Sequence, residues 1–265
     1  MNFLAHHIIS ILQDNIYYNI GLTLPDLLSL QNRNCKVTLS FCDNIIENLG
    51  IAKIAFFEEK EDKDTFTKDD AHLCLKGMKV HLLMDKWFHN DRLFFLLIKK
   101  INNIEKENYL PSHQLLEILL DLYIDRKIKD SAKSLQKTYA NPALSFIIEF
   151  FKNFCSIDME QTQKFIDFIK DGTFIGQYRN PENLIMLLRR ISIKYSSKKI
   201  FDIDAADETD SGKEIDIKNT RFIENELRLL EKIKTEIEED LSDMLSQILI
   251  VSQNIQKEIL LADKF

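Results

Sequence analysis

The chain has 265 residues, of which only 6 are glycine and 4 proline. A fold with many tight turns needs those two as punctuation, so sandwiches, barrels and disordered tails are excluded and a helical fold is expected. With 35 basic against 42 acidic residues the net charge is −7, which disfavours nucleic acid, where clustered Lys and Arg replace counterions along the phosphates.

In chain order, residues 2–13 predict a short apolar helix, Asp14–Gly21 a polar break, and Leu22–Leu30 a brief apolar segment broken by Pro25. Helices are expected over Cys42–Phe57, Ala71–His89, Arg92–Ile101, Ser112–Ile128, Ser145–Cys155, Met159–Lys170 and Glu182–Tyr195, with the charged stretch Glu58–Asp70 as a solvated loop. Leu73, Val80, Met84 and Phe88 fall close to one stripe at helical spacing. Pro111-Ser112, Asn141-Pro142 and Asn180-Pro181 mark helix starts. No alternating strand pattern competes, so the expected class is all-α, a single helical bundle over residues 1–200.

The acidic stretch Asp202–Gly212 (DIDAADETDSG) places a linker over 201–219. A long C-terminal helix over 220–265 follows, since Arg221–Ala262 contains neither glycine nor proline. Its apolar residues Ile223, Leu227, Leu230, Ile237, Leu241, Met244, Ile248, Val251 and Ile255 form a heptad-like seam that skips at Lys234. Forty-odd helical residues reach about 60 Å. Such a helix either folds back along its own bundle or pairs with a second copy as a homodimer.

No run reaches the roughly 18 apolar residues that span a bilayer, so no membrane partner is expected. The opening MNFLAHHIIS lacks a basic region before its apolar stretch and reads as neither signal peptide nor anchor. Cys35, Cys42, Cys74 and Cys155 show no Cys-x-x-Cys spacing. They read as reduced thiols of a cytoplasmic protein.

The candidate chemistry lies in histidines with acids at helical spacing. His81 precedes Asp85 by four residues; His113 precedes Glu117 by four and Asp121 by eight. Side chains four apart share one helix face, and an imidazole above a carboxylate makes a two-ligand edge for a divalent cation. Both pairs interrupt apolar runs (VHLLMDKWF and HQLLEILLDLYI), where a carboxylate must be paired or bind a metal. A metal site, a structural polar network and exposed pairs all remain open on spacing alone. His6, in an apolar run, reads as a core histidine or a ligand, and Asp26, after Pro25, as a helix cap or a ligand.

The motifs Met1–His6 (MNFLAH), Gly21–Asp26 (GLTLPD), Gly77–His89 (GMKVHLLMDKWFH) and Leu119–Asp121 (LLD) resemble, in order, those of the acyl-carrier-protein phosphodiesterase family. That family is an outlying all-helical relative of the HD-type metal-dependent phosphohydrolases. Tyr178–Ser192 (YRNPENLIMLLRRIS) is similar to its C-terminal helix with a basic cluster, which a long final helix follows. The resemblance spans most of residues 1–250. It implies that His6, Asp26, His81, Asp85 and Asp121 surround a divalent ion, manganese by preference, with iron, zinc and magnesium as alternatives. The implied reaction is hydrolysis of a phosphodiester, a phosphopantetheinyl carrier protein being one substrate of that kind.

On this resemblance Asp26 and Asp85 are the catalytic carboxylates, Asp26 orienting or deprotonating the attacking water. His113, Glu117 and His89 would hold ligands in place, and Lys79, Arg179 and Arg190 would hold the phosphate. Three positions depart from the family pattern. Leu122 stands for a histidine, Leu82 for an arginine, and the run Leu27-Leu-Ser-Leu lacks an expected basic residue. The alternative they leave is a helical binding or scaffold protein that keeps the fold without catalysis.

Overall fold

The computed structural model describes residues 3–10, 12, 14–31, 37–51, 67–104, 111–152, 154, 158–201 and 220–261. The fold is all-α, with no strand among the described residues. The helices are α1 (Phe3–Ile8), α2 (Ile16–Gly21), α3 (Leu24–Gln31), α4 (Leu39–Ile51), α5 (Lys68–Asn90), α6 (Arg92–Ile104) and α7 (Ser112–Lys127), then α8 (Ser131–Ala140), α9 (Ala143–Lys152), α10 (Met159–Lys170), α11 (Thr173–Arg179), α12 (Pro181–Phe201) and α13 (Thr220–Leu261). The linker expected over 201–219 lies, from 202 onward, outside the described residues, as do 58–66 of the expected charged loop.

Capping chemistry explains where helices depart from apolar periodicity. The expected break at Asp14–Gly21 holds α2, because the Asn15 side chain accepts the Tyr18 N–H at 2.9 Å and starts a helix there. α5 begins at Lys68 rather than Ala71. Thr67 Oγ1 accepts the Asp70 N–H and the Asp70 carboxylate accepts the Thr67 N–H, a reciprocal cap. The helix expected over 2–13 stops at Ile8, and beyond it Ser10 Oγ donates to Asn19 Oδ1. Pro25 sits in the first turn of α3, where its missing N–H costs nothing. α8 and α11 were not expected; α8 is mostly polar and buries only a narrow stripe that includes Ala132, Leu135 and Tyr139.

α5 runs through the middle, packed by α2, α3, α4, α6 and α13. Where α2 crosses it, Gly21 and Gly77 let the two backbones touch: a Cβ on Gly77 would stand 2.3 Å from the Tyr18 carbonyl oxygen. α13 folds back along α5, α6, α7 and α12. Its buried face includes Leu230, Ile233, Ile237, Leu241, Met244 and Ile248, so Ile233 fills the skip expected at Lys234. Further on, Ser252 and Gln256 are buried while Val251 and Ile255 are half-buried, because a straight helix drifts relative to a seven-residue repeat. These seam residues pack against the chain's own helices α5, α6, α7 and α12.

Gln256 fastens the far end of α13. Its Nε2 donates to the Ile9 carbonyl at 2.6 Å, and its Oε1 accepts the Tyr18 hydroxyl at 2.7 Å, all within the core. Gln256→Leu leaves that hydroxyl and that carbonyl buried without their partner, and is expected to cost about 2 kcal/mol. Urea unfolding checks it. Adding Tyr18→Phe should recover part of the loss, since it removes one stranded group; full additivity of the two changes would contradict the network.

Candidate metal centre

Helical spacing lays two stripes side by side. His81, Asp85 and His89 rise along one face of α5 and His113, Glu117 and Asp121 along one face of α7. α1 brings His6 to the first stripe, and the first turn of α3 brings Asp26. Ligand atoms of His6, Asp26 and His81 all lie within 4.8 Å of one another. His81 Nε2 is 3.5 Å from Asp26 Oδ1, and the His6 and His81 rings stack with centroids 3.7 Å apart. Asp85 stands beside this set, its Oδ1 3.8 Å from His6 Nε2 and its Oδ2 3.4 Å from His89 Nδ1.

A backbone carbonyl decides the tautomer of His81. Its Nδ1 lies 2.8 Å from the Leu22 oxygen, which can only accept, so Nδ1 carries the proton. With Nδ1 held by this carbonyl, Nε2 is the nitrogen turned towards Asp26, the orientation of a metal-ligating imidazole. Leu22 follows Gly21, and His81 lies one turn beyond Gly77. The glycine crossing thus delivers this carbonyl, a contact that no residue type in the sequence announces.

His6 is fully buried, and neither ring nitrogen has a hydrogen-bond partner among the described residues. Asp85 at 3.8 Å is beyond hydrogen-bond reach. Burial, and then the charge of His81, push the His6 pKa down to about 3 against the pull of Asp85. His6 is a neutral imidazole with an unused lone pair. Asp26 is raised by burial, but His81 and His6 outweigh this and hold it below the usual carboxylate range. For Asp85 too, burial acts upwards and loses to His6 and His89, which keep it ionised.

Asp121 does not converge with these atoms. It is fully buried and its two oxygens accept the N–H groups of Leu4 and Ala5, at 3.4 and 3.0 Å. Those are otherwise unpaired donors of the first turn of α1. Burial raises its pKa to about 8, against the pull of these two N–H groups. Its place in the fold is to hold the helix that carries His6.

The residues expected to steady the ligands meet one another, and His89 also reaches Asp85. His89, His113 and Glu117 form a second group of close donor atoms, joined to the first through Asp85. Hydrogen bonds to Asp85 and Glu117 raise the His89 pKa to about 9. Burial raises Glu117, but His113 and His89 more than reverse it. Of the expected phosphate anchors, Lys79 is held by Asp43 at 2.7 Å and Arg179 by Asp125 at 2.6 and 2.9 Å. Arg190 lines a cavity of about 760 Å³ with Phe165, Phe168, Phe174 and Tyr178, and Glu117 lies on its wall.

Compared with protein-family models, curated proteins and solved structures, the chain matches none. Among the described residues no helix is long and apolar enough to cross a membrane.

Proposed function

We propose that this chain is a metal-dependent hydrolase of phosphodiesters, in which His6, Asp26 and His81, with Asp85 beside them, hold a divalent cation, manganese by preference. One observation carries the reading: the fully buried His6 imidazole has no hydrogen-bond partner among the described residues and faces two carboxylates and a tautomer-fixed histidine. A buried polar group without a partner costs about 1–3 kcal/mol, a cost that a cation accepting its lone pair removes. When bound, such an ion draws charge from phosphoryl oxygens and makes water a stronger acid.

The rest is work for the chain's own groups. Asp26 is ionised and 30% exposed, so it can accept a proton from an attacking water while reaching solvent. Asp85 orients the His89 ring through Nδ1 and stands 3.8 Å from His6 Nε2, close enough to share a cation with it. The choice of phosphodiester, and of a phosphopantetheinyl carrier protein among them, rests on the motif resemblance to the acyl-carrier-protein phosphodiesterases. A second reading, a scaffold that keeps the cation without catalysis, draws support from Lys79 and Arg179 being engaged by carboxylates rather than turned to a substrate.

Elemental analysis of the purified chain together with a chromogenic bis-aryl phosphodiester assay in Mn²⁺ separates these readings. The hydrolase reading expects bound metal and a rate lowered at least about 100-fold by Asp26→Asn. Bound metal with no turnover supports the scaffold. No uptake of Mn, Fe, Zn or Mg by the parent removes both.

A further inference from the structure

His89, at the C-terminal end of α5, meets His113 and Glu117 in the first half of α7 as a triangle of atoms. His89 Nε2 lies 3.1 Å from His113 Nε2 and 3.1 Å from Glu117 Oε1, and the remaining side is 3.3 Å. A hydrogen bond needs one donor and one acceptor, and three atoms in a ring cannot alternate. If both imidazoles present N–H, two protons face each other. If only one does, a nitrogen lone pair faces a carboxylate oxygen. With Glu117 held ionised by the two imidazoles, every placement of protons leaves one side repulsive.

A single cation removes the conflict, because all three atoms can then turn lone pairs to one centre. The spacing fits. Donors about 2.0–2.1 Å from a tetrahedral ion stand about 3.3–3.4 Å apart, and those around an octahedral ion roughly 3.0 Å apart. The sides of 3.1–3.3 Å make one face of either polyhedron. Two imidazoles and one carboxylate favour a first-row transition metal over calcium or magnesium.

The surroundings prepare these atoms for that role. His89 Nδ1 faces Asp85 Oδ2 at 3.4 Å, and a proton shared there leaves Nε2 bare for a metal. The buried Phe94 ring meets both imidazoles edge-on, with centroids 5.4 and 5.1 Å away, and sets their tilt. His113 is 44% exposed, so an ion can enter and keep open positions. Glu117 also lines the aromatic cavity, which places those positions beside it.

We propose that His89, His113 and Glu117 form a second, open divalent-cation site of zinc or cobalt type, distinct from the His6–Asp26–His81 group and connected to it through Asp85. The site has its own ligands and does not depend on the hydrolase reading.

Cobalt is the probe: equilibrium dialysis of the full chain against Co²⁺, read by metal content and by the d–d absorption of the bound ion. The parent is expected to bind about two equivalents. His113→Ala, at a half-buried position, and Glu117→Gln should each lose one equivalent together with its absorption, while circular dichroism stays that of the parent. His81→Ala should lose the other equivalent only. Cobalt uptake and spectrum unchanged in both His113→Ala and Glu117→Gln overturn the second site, and the trio is then a histidinium held between carboxylates. A parent that binds one equivalent, lost in His113→Ala and kept in His81→Ala, supports the second site and sinks the first.

Discussion

Gly77→Ala is expected to destabilise the protein by about 3 kcal/mol or more and to weaken cation binding at the His6–Asp26–His81 group. The added methyl would stand 2.3 Å from the Tyr18 carbonyl oxygen and 3.0 Å from the Leu22 amide nitrogen. Both are backbone atoms of the α2 segment, so no side chain can swing aside; α2 must move off α5. Gly21 meets the same wall from the other side, 2.1 Å from the Cys74 oxygen. A displaced α2 carries the Leu22 carbonyl away from His81 Nδ1 and frees the ring to turn or change tautomer. At about 2–4 °C per kcal/mol for a chain of this size, the melting temperature should fall by roughly 6–12 °C. Gly176→Ala is the control. It lies within α11 and its Cβ would meet nothing within 4 Å, so a helical alanine there should be neutral or stabilising by up to about 1 kcal/mol. Equal losses at the two glycines would contradict the crossing argument.

The parts of this architecture legible in the sequence are those written in helical periodicity. The apolar stripes of α5, α7 and α13 announce their helices, and the spacing of four aligns His81 with Asp85 and His113 with Glu117. What the sequence hides is partnership with the backbone. Asp121 in an apolar run must have a partner, but from residue types a cation and the two N–H groups of Leu4 and Ala5 look alike. The proton on His81 is set by a carbonyl, and the meeting of α2 with α5 by two glycines 56 positions apart that no local pattern links. Short helices are hidden for a related reason. α2 depends on one asparagine side chain at its start, and α8 buries too few apolar residues for its stripe to stand out. The triangle that His89 closes with His113 and Glu117 is hidden as well, because separation along the chain says nothing about where two helices meet.

His6→Leu is expected to raise the stability of the metal-free protein and to remove most of its stabilisation by Mn²⁺. The parent buries an imidazole whose two nitrogens have no hydrogen-bond partner among the described residues, a group that costs about 1–3 kcal/mol unless a cation takes its lone pair. Leucine fills a similar volume in the wholly buried site, against the His81 ring, without that cost. In chelator the variant should therefore unfold at higher urea than the parent, by about 1–2 kcal/mol. The order then reverses. Manganese at 100 times its dissociation constant stabilises the parent by about 2.7 kcal/mol, while the variant, short of one ligand, gains little. Such a crossing of two urea curves on adding the ion requires His6 to be both a burden in the free protein and a ligand in the loaded one. A variant less stable than the parent in chelator would show that His6 already has a favourable polar partner, and the cation reading of this group would fall with it.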